Sequence, residues 1–167
     1  MREKLTAADI QKIKEEIEHR KLVVRKEALE DVKIARAHGD LSENFEYKAA
    51  KQYKNQNESR IRYLERVLRT AIEIKDNSKE DEVGLNDTVE LLVEEDIVIE
   101  TYRIVTSIRG NSMHGLISIE SPLGRALLCK KVGDRVHIKV SDSYGYDVIL
   151  QSITKSSNEE LDHIRKF

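Results

Sequence analysis

Ala37-His38-Gly39-Asp40-Leu41-Ser42-Glu43-Asn44-Phe45-Glu46 is the stretch at which this 167-residue chain turns back on itself. Before it, from Thr6 to Ala37, no Gly or Pro occurs. Ile10, Ile13, Ile17, Val24, Ala28, Val32 and Ala35 recur there at steps of three or four, with a beat missed at Arg20. After it, Tyr47, Ala50, Lys54, Asn57, Ile61, Leu64, Leu68 and Ala71 alternate steps of three and four. That spacing predicts the seam of a coiled coil, weakened toward the turn by Lys54 and Asn57. The intervening loop is short, so the two arms are expected to pack antiparallel as a hairpin. Thirty helical residues reach about 45 Å at the α-helical rise, enough to span a deep channel.

Thr6 is a candidate cap for the first arm, with Asp9 in the first turn, where negative charge is favoured. Gly39 can take the left-handed position that ends this helix. Two readings of the acidic turn stay open. In the first, Asp40 caps the second arm and Glu43, three residues on, completes a capping box. In the second, Ser42 caps the helix and Asp40 is freed to project. Asp40 and Glu43 then share one divalent cation, and Mg²⁺, which prefers oxygen ligands and keeps several waters, is the suitable ion. Two carboxylates alone hold it weakly, so such a tip works only where a second party supplies further ligands. The chain then reads as the helper of an enzyme. Arg36, Lys48, Lys51 and Lys54 flank the acids, either as a solvated helix face or as a track for a nucleic-acid backbone. Tyr47 and Tyr53 offer rings for base stacking, or seam packing in the case of Tyr47.

Charged residues make up 36% of the chain and aromatics 5%, with one Pro and no Trp, which suits long solvated helices and one modest core. Residues 1–75 carry a formal charge of +4 and the remainder −6. The single Cys129 excludes an internal disulfide and points to a reducing cytosol. It lies beside an apolar run and reads as a small core residue. Charges interrupt the N-terminus, and no run of membrane-spanning length occurs, so a soluble cytoplasmic protein is expected. Residues 1–75 form the hairpin in this reading, 76–84, rich in Asp, Glu, Asn and Ser, a linker, and 85–167 a second domain. There the period switches to two at Val89-Leu91-Val93, Tyr102-Ile104, Val136-Ile138-Val140 and Tyr146-Val148-Leu150. Ser121-Pro122 precedes a short helix over Leu123–Leu128. The expected fold is α+β: a coiled-coil hairpin, then an antiparallel sheet covered by one short helix. The polar tail from Ser156 carries no readable role. The five His residues have no zinc-type spacing, and neither a phosphate loop nor a nucleophile elbow is present.

The run from His38 to Tyr47 resembles the tip signature of the Gre transcript-cleavage factors. Ile117-Ser-Ile-Glu-Ser-Pro-Leu-Gly-Arg-Ala-Leu-Leu128 resembles the family's second signature. The likeness covers essentially the whole chain, with a basic stretch closer to the GreA branch. It implies a C-terminal domain similar to the FKBP fold, acting as a monomer that binds bacterial RNA polymerase and inserts its hairpin through the secondary channel. The polymerase, not this chain, would then cleave backtracked RNA. Asp40 and Glu43 would assist the shared Mg²⁺ and the attacking water. Arg36, Lys48 and Lys51 would face the RNA 3′ end, and Glu120, Ser121 and Pro122 the polymerase. Two positions depart from the family pattern: Phe45 where Ala is usual, and Cys129 where Gly is usual.

Three other readings compete. A channel-blocking, anti-cleavage homologue would carry additional tip acids. A prolyl isomerase of FKBP type needs an aromatic pocket, whereas both Phe residues, Phe45 and Phe167, lie outside the sheet region. An adaptor rod would tolerate Asp40→Asn and Glu43→Gln without effect.

Overall fold

The computed structural model describes residues 2–39, 43–159 and 162–166. The chain forms two compact units, one built on Ala7–Ala71, the other on Glu3–Thr6 with Ile72–Lys166. The boundary therefore falls at Ala71/Ile72.

In the first unit, α1 (Ala7–His19), a π-helical turn (Arg20–Val24) and α2 (Arg25–Arg36) form one continuous arm. The second arm is α3 (Phe45–Thr70). Ile13, Ala28, Val32 and Ala35 are buried on the first arm, with Asn57, Arg60, Ile61, Leu64 and Val67 on the second. The missed beat at Arg20 has a structural cause. Ile13 to Arg20 and Ala28 to Ala35 are each seven residues, while Arg20 to Ala28 is eight. The extra residue would rotate the later seam by about 100° on a regular helix, and the wider π turn absorbs it. The Arg25 N–H bonds the Arg20 carbonyl five residues back.

Asn57 reads this turn from the facing arm. Its Oδ1 accepts from Arg20 Nη1 at 3.0 Å, and its Nδ2 donates to the Arg20 carbonyl at 3.2 Å. Glu16 accepts from both Arg20 Nε at 2.8 Å and Arg60 Nε at 2.9 Å. Burial pushes the Glu16 carboxyl up, but the hydrogen bonds and charges of Arg60 and Arg20 outweigh it and hold the group below 4.5. This polar belt takes the place of an apolar seam layer and fixes the register, as a single buried Asn does in other coiled coils.

The second unit opens with β1 (Lys4–Leu5), which pairs in parallel with β2 (Ile72–Glu73). Its main sheet contains β3 (Thr88–Val93), β4 (Val98–Val105), β5 (Leu116–Ser118), β6 (Arg135–Lys139) and β7 (Gly145–Thr154), in the order β5-β4-β3-β7-β6. The expected all-antiparallel sheet is corrected at one edge. β5 runs parallel to β4, because two 3₁₀ turns (Ser107–Arg109 and Ser112–His114) carry the chain back before it pairs. Val140, expected on a strand, lies just past β6 and is exposed. α4 (Pro122–Leu127) places Leu127 in a core with Val89, Leu91, Ile104, Ile138 and Leu150.

Residues 76–84 are a packed strap. Val83 and Gly84 are buried, and the Lys155 ammonium donates to Ser78 Oγ, the Lys79 carbonyl and the Glu82 carbonyl at 2.9–3.2 Å. A Cβ on Gly84 would lie 1.9 Å from Ser78 Oγ, so any larger residue there has to displace Ser78. The polar tail is likewise structural. Arg109, buried at 1% exposure, donates to Glu159 Oε1 at 3.0 Å, Asp162 Oδ2 at 2.6 Å and Asn86 Oδ1 at 2.7 Å. Glu159 also accepts from the Thr6 hydroxyl at 2.9 Å. Among the described residues no helix is long and apolar enough to cross a membrane.

Candidate functional site

At the tip, α2 ends at Arg36 and Gly39 takes φ +119°, a backbone that L side chains resist. Asp40, and the possible cap Ser42, lie outside the described residues. The cap of α3 is Asn44. Its Oδ1 accepts the Tyr47 N–H at 3.0 Å while its Nδ2 donates to the Ala35 carbonyl at 2.7 Å. One side chain thus satisfies an orphan donor of α3 and a last-turn carbonyl of α2, tying the arms together. Neither open reading of the cap holds, the Asp40–Glu43 capping box or Ser42: with Asn44 as cap, Glu43 precedes the helix and is exposed. Asn44 was missed because Asp40, Ser42 and Asn44 are all good caps. The signal available was Asn directly before an uninterrupted helical run.

Basic and aromatic groups surround this point. The Arg36 guanidinium stands 5.5 Å from the Tyr47 ring centroid, and Lys48 Nζ 5.6 Å from that of Phe45. Arg36, with Lys51 and Lys54 adding their charge, holds the Tyr47 phenol below 10. Lys48 and Lys51 are exposed on α3. His38 Nδ1 lies 3.0 Å from Glu46 Oε2, so Glu46 is engaged beside the turn. Arg36, Glu43, Lys48 and Lys51 are thereby gathered at one end of the hairpin. Among the described residues, no three His, Cys, Asp or Glu are grouped to hold a metal ion.

In the second unit Glu120, Ser121 and Pro122 form the turn into α4. Ser121 Oγ accepts the Gly124 N–H at 3.0 Å and donates to the Ser118 carbonyl at 2.6 Å, so this residue caps the helix. Glu120 meets Lys4 and Arg125, each at 3.2 Å. Lys4 first, and Arg125 second, hold its carboxyl below 4.5. Pro122 is exposed at the first helical position. A Cβ on Gly124 would lie 2.0 Å from the Ser118 carbonyl oxygen, which explains the Gly in this motif. Cys129, expected in the core, is exposed, and it takes φ +66° just past α4.

An acid-tipped, base-flanked coiled-coil hairpin followed by a small α+β unit is the arrangement found here. Residues 3–72 match the profile described as "Transcription elongation factor, N-terminal", and residues 77–153 the one described as "Transcription elongation factor, GreA/GreB, C-term". The chain belongs to the GreA/GreB family of transcription elongation factors. It is 45% identical over 138 residues to transcription elongation factor GreA of Chloroherpeton thalassium, covering 81% of this chain and 87% of that one. To GreA of Macrococcus caseolyticus it is 42% identical over 134 residues, covering 80% and 85%. Among solved structures, the GreA factor homolog 1 of Thermus thermophilus is 26% identical, with 93% and 100% coverage and a TM-score of 0.43.

Proposed function

We propose that this chain binds bacterial RNA polymerase, as a cytoplasmic monomer, and stimulates the polymerase's own cleavage of backtracked RNA. In this reading the hairpin enters the secondary channel, and the second unit, similar to the FKBP fold, docks through Glu120, Ser121 and Pro122. The observation that carries it is the cap. Because Asn44 satisfies the start of α3, Glu43 is left outside the helix as an exposed carboxylate. Its oxygen donors suit a hard cation, and Asp40 is the partner carboxylate assigned by the sequence. Bound in the joint site, Mg²⁺ would lower the pKa of the attacking water and neutralise charge on the phosphate. Glu43 and Asp40 orient that water and hold its proton, while Arg36, Lys48 and Lys51 steer the RNA 3′ end. Neither carboxylate cuts the RNA alone, so the chain is an activator rather than an enzyme.

The test is a stalled, backtracked elongation complex with labelled transcript in Mg²⁺. Wild type is expected to shorten the RNA rapidly. Asp40→Asn and Glu43→Gln should lose the stimulation with polymerase binding unchanged. If wild type binds but the RNA stays intact, the cleavage reading fails and a channel-blocking factor takes its place.

A further inference from the structure

Phe45 stands out on the tip. It is 80% exposed at the first position of α3, two residues after Glu43. No local structural role accounts for it. A hydrophobic staple would join the residues before and four after the cap, which here are Glu43 and Lys48. A first-turn position gains from negative charge, which Phe lacks. Instead Lys48 places its ammonium 5.6 Å from the ring centroid, and Arg36 repeats that arrangement at Tyr47. An exposed ring with a cation over one face matches how unpaired nucleic-acid strands are held, the base on the ring and the phosphate at the cation. A protein groove receiving Phe would be apolar, and a desolvated lysine at its mouth would oppose docking.

We propose that Phe45 is a stacking platform for an unpaired base of the displaced RNA 3′ segment, with Lys48 holding the neighbouring phosphate. This rests on the cleavage reading for its substrate. It adds an affinity contact with the RNA that the tip carboxylates do not supply. Stacking onto a ring face tolerates every base, so the contact should tighten engagement with any extruded 3′ end and favour flat purines.

The test uses the full chain on backtracked complexes whose transcript ends in 5-iodouridine, with Glu43→Gln to stop cleavage. Irradiation should attach the RNA to Phe45, mapped by mass spectrometry, and Phe45→Leu should abolish the attachment. In the Glu43 background, Phe45→Leu should raise the factor concentration for half-maximal cleavage by roughly tenfold, as expected for one lost stack. The maximal rate should change less than about twofold, since the catalytic carboxylates are intact. Phe45→Trp should restore the wild-type concentration. An unchanged half-maximal concentration in Phe45→Leu, or a crosslink to tip residues other than Phe45, overturns the proposal. So does attachment of the ring to a polymerase subunit when a photoreactive Phe analogue replaces Phe45. A crosslink to Phe45 without any cleavage by wild type would sink the cleavage reading and leave the stack standing.

Discussion

Cys129 holds a left-handed backbone, φ +66°, at the position where α4 ends. A side chain there meets the following carbonyl, a cost of about 1–2 kcal/mol that glycine avoids. Its thiol is exposed and contributes little packing in return. Cys129→Gly is therefore expected to stabilise the second unit by about 1 kcal/mol, after the added chain entropy of glycine is deducted. Thermal unfolding should show the rise, and Cys129→Ala, which keeps the strain, should not. The departure from the family's usual Gly was visible in the sequence, but its meaning needed the dihedral. The tip shows the same division. The acids and bases around the turn were legible from residue type and spacing. Which of three capable residues caps α3 shows in the fold alone, where Asn44 Oδ1 accepts the Tyr47 N–H at 3.0 Å, a distance no periodicity encodes.

The hairpin arms followed from their three-four spacing because a long two-helix seam leaves a strong periodic mark. The break at Arg20 was equally visible, but a missed beat does not say whether the helix kinks, ends or widens. Here it widens, since one extra residue between Arg20 and Ala28 is accommodated over Arg20–Val24 while Asn57 bonds the Arg20 carbonyl. Deleting Val23, an exposed residue of that turn, should restore seven-residue spacing and convert the arm to uninterrupted α-helix. Helical circular dichroism should be retained and melting cooperative. Deleting Lys14, in the regular part of the arm, rotates the two parts of the seam about 100° apart and should abolish cooperative melting. Equal melting of both deletion variants would show that the π turn does not set the register.

The whole chain depends on residues that looked dispensable. A tail of scattered charges has no periodicity, and nothing in the sequence signals that Glu159 and Asp162 meet the buried Arg109. Ending the chain at Ser157 removes both carboxylates from a guanidinium that has no exposed side-chain surface. Breaking a buried pair in this way costs about 3–5 kcal/mol. The truncated chain should therefore lose its second unit at markedly lower temperature, and Arg109→Met in the truncated background should recover part of the loss. Full stability of the truncated chain would reduce the clamp to a surface contact. The opposite terminus is tied as well. Ile72 N–H bonds the Glu3 carbonyl at 2.9 Å and Ile74 N–H the Leu5 carbonyl at 2.8 Å, so the strands before and after the hairpin close on each other. That closure sets an order of synthesis. Lys4 and Leu5 leave the ribosome before either arm, yet they have no strand to join until both arms have been made. The strand before the hairpin thus completes its pairing only after the hairpin has emerged.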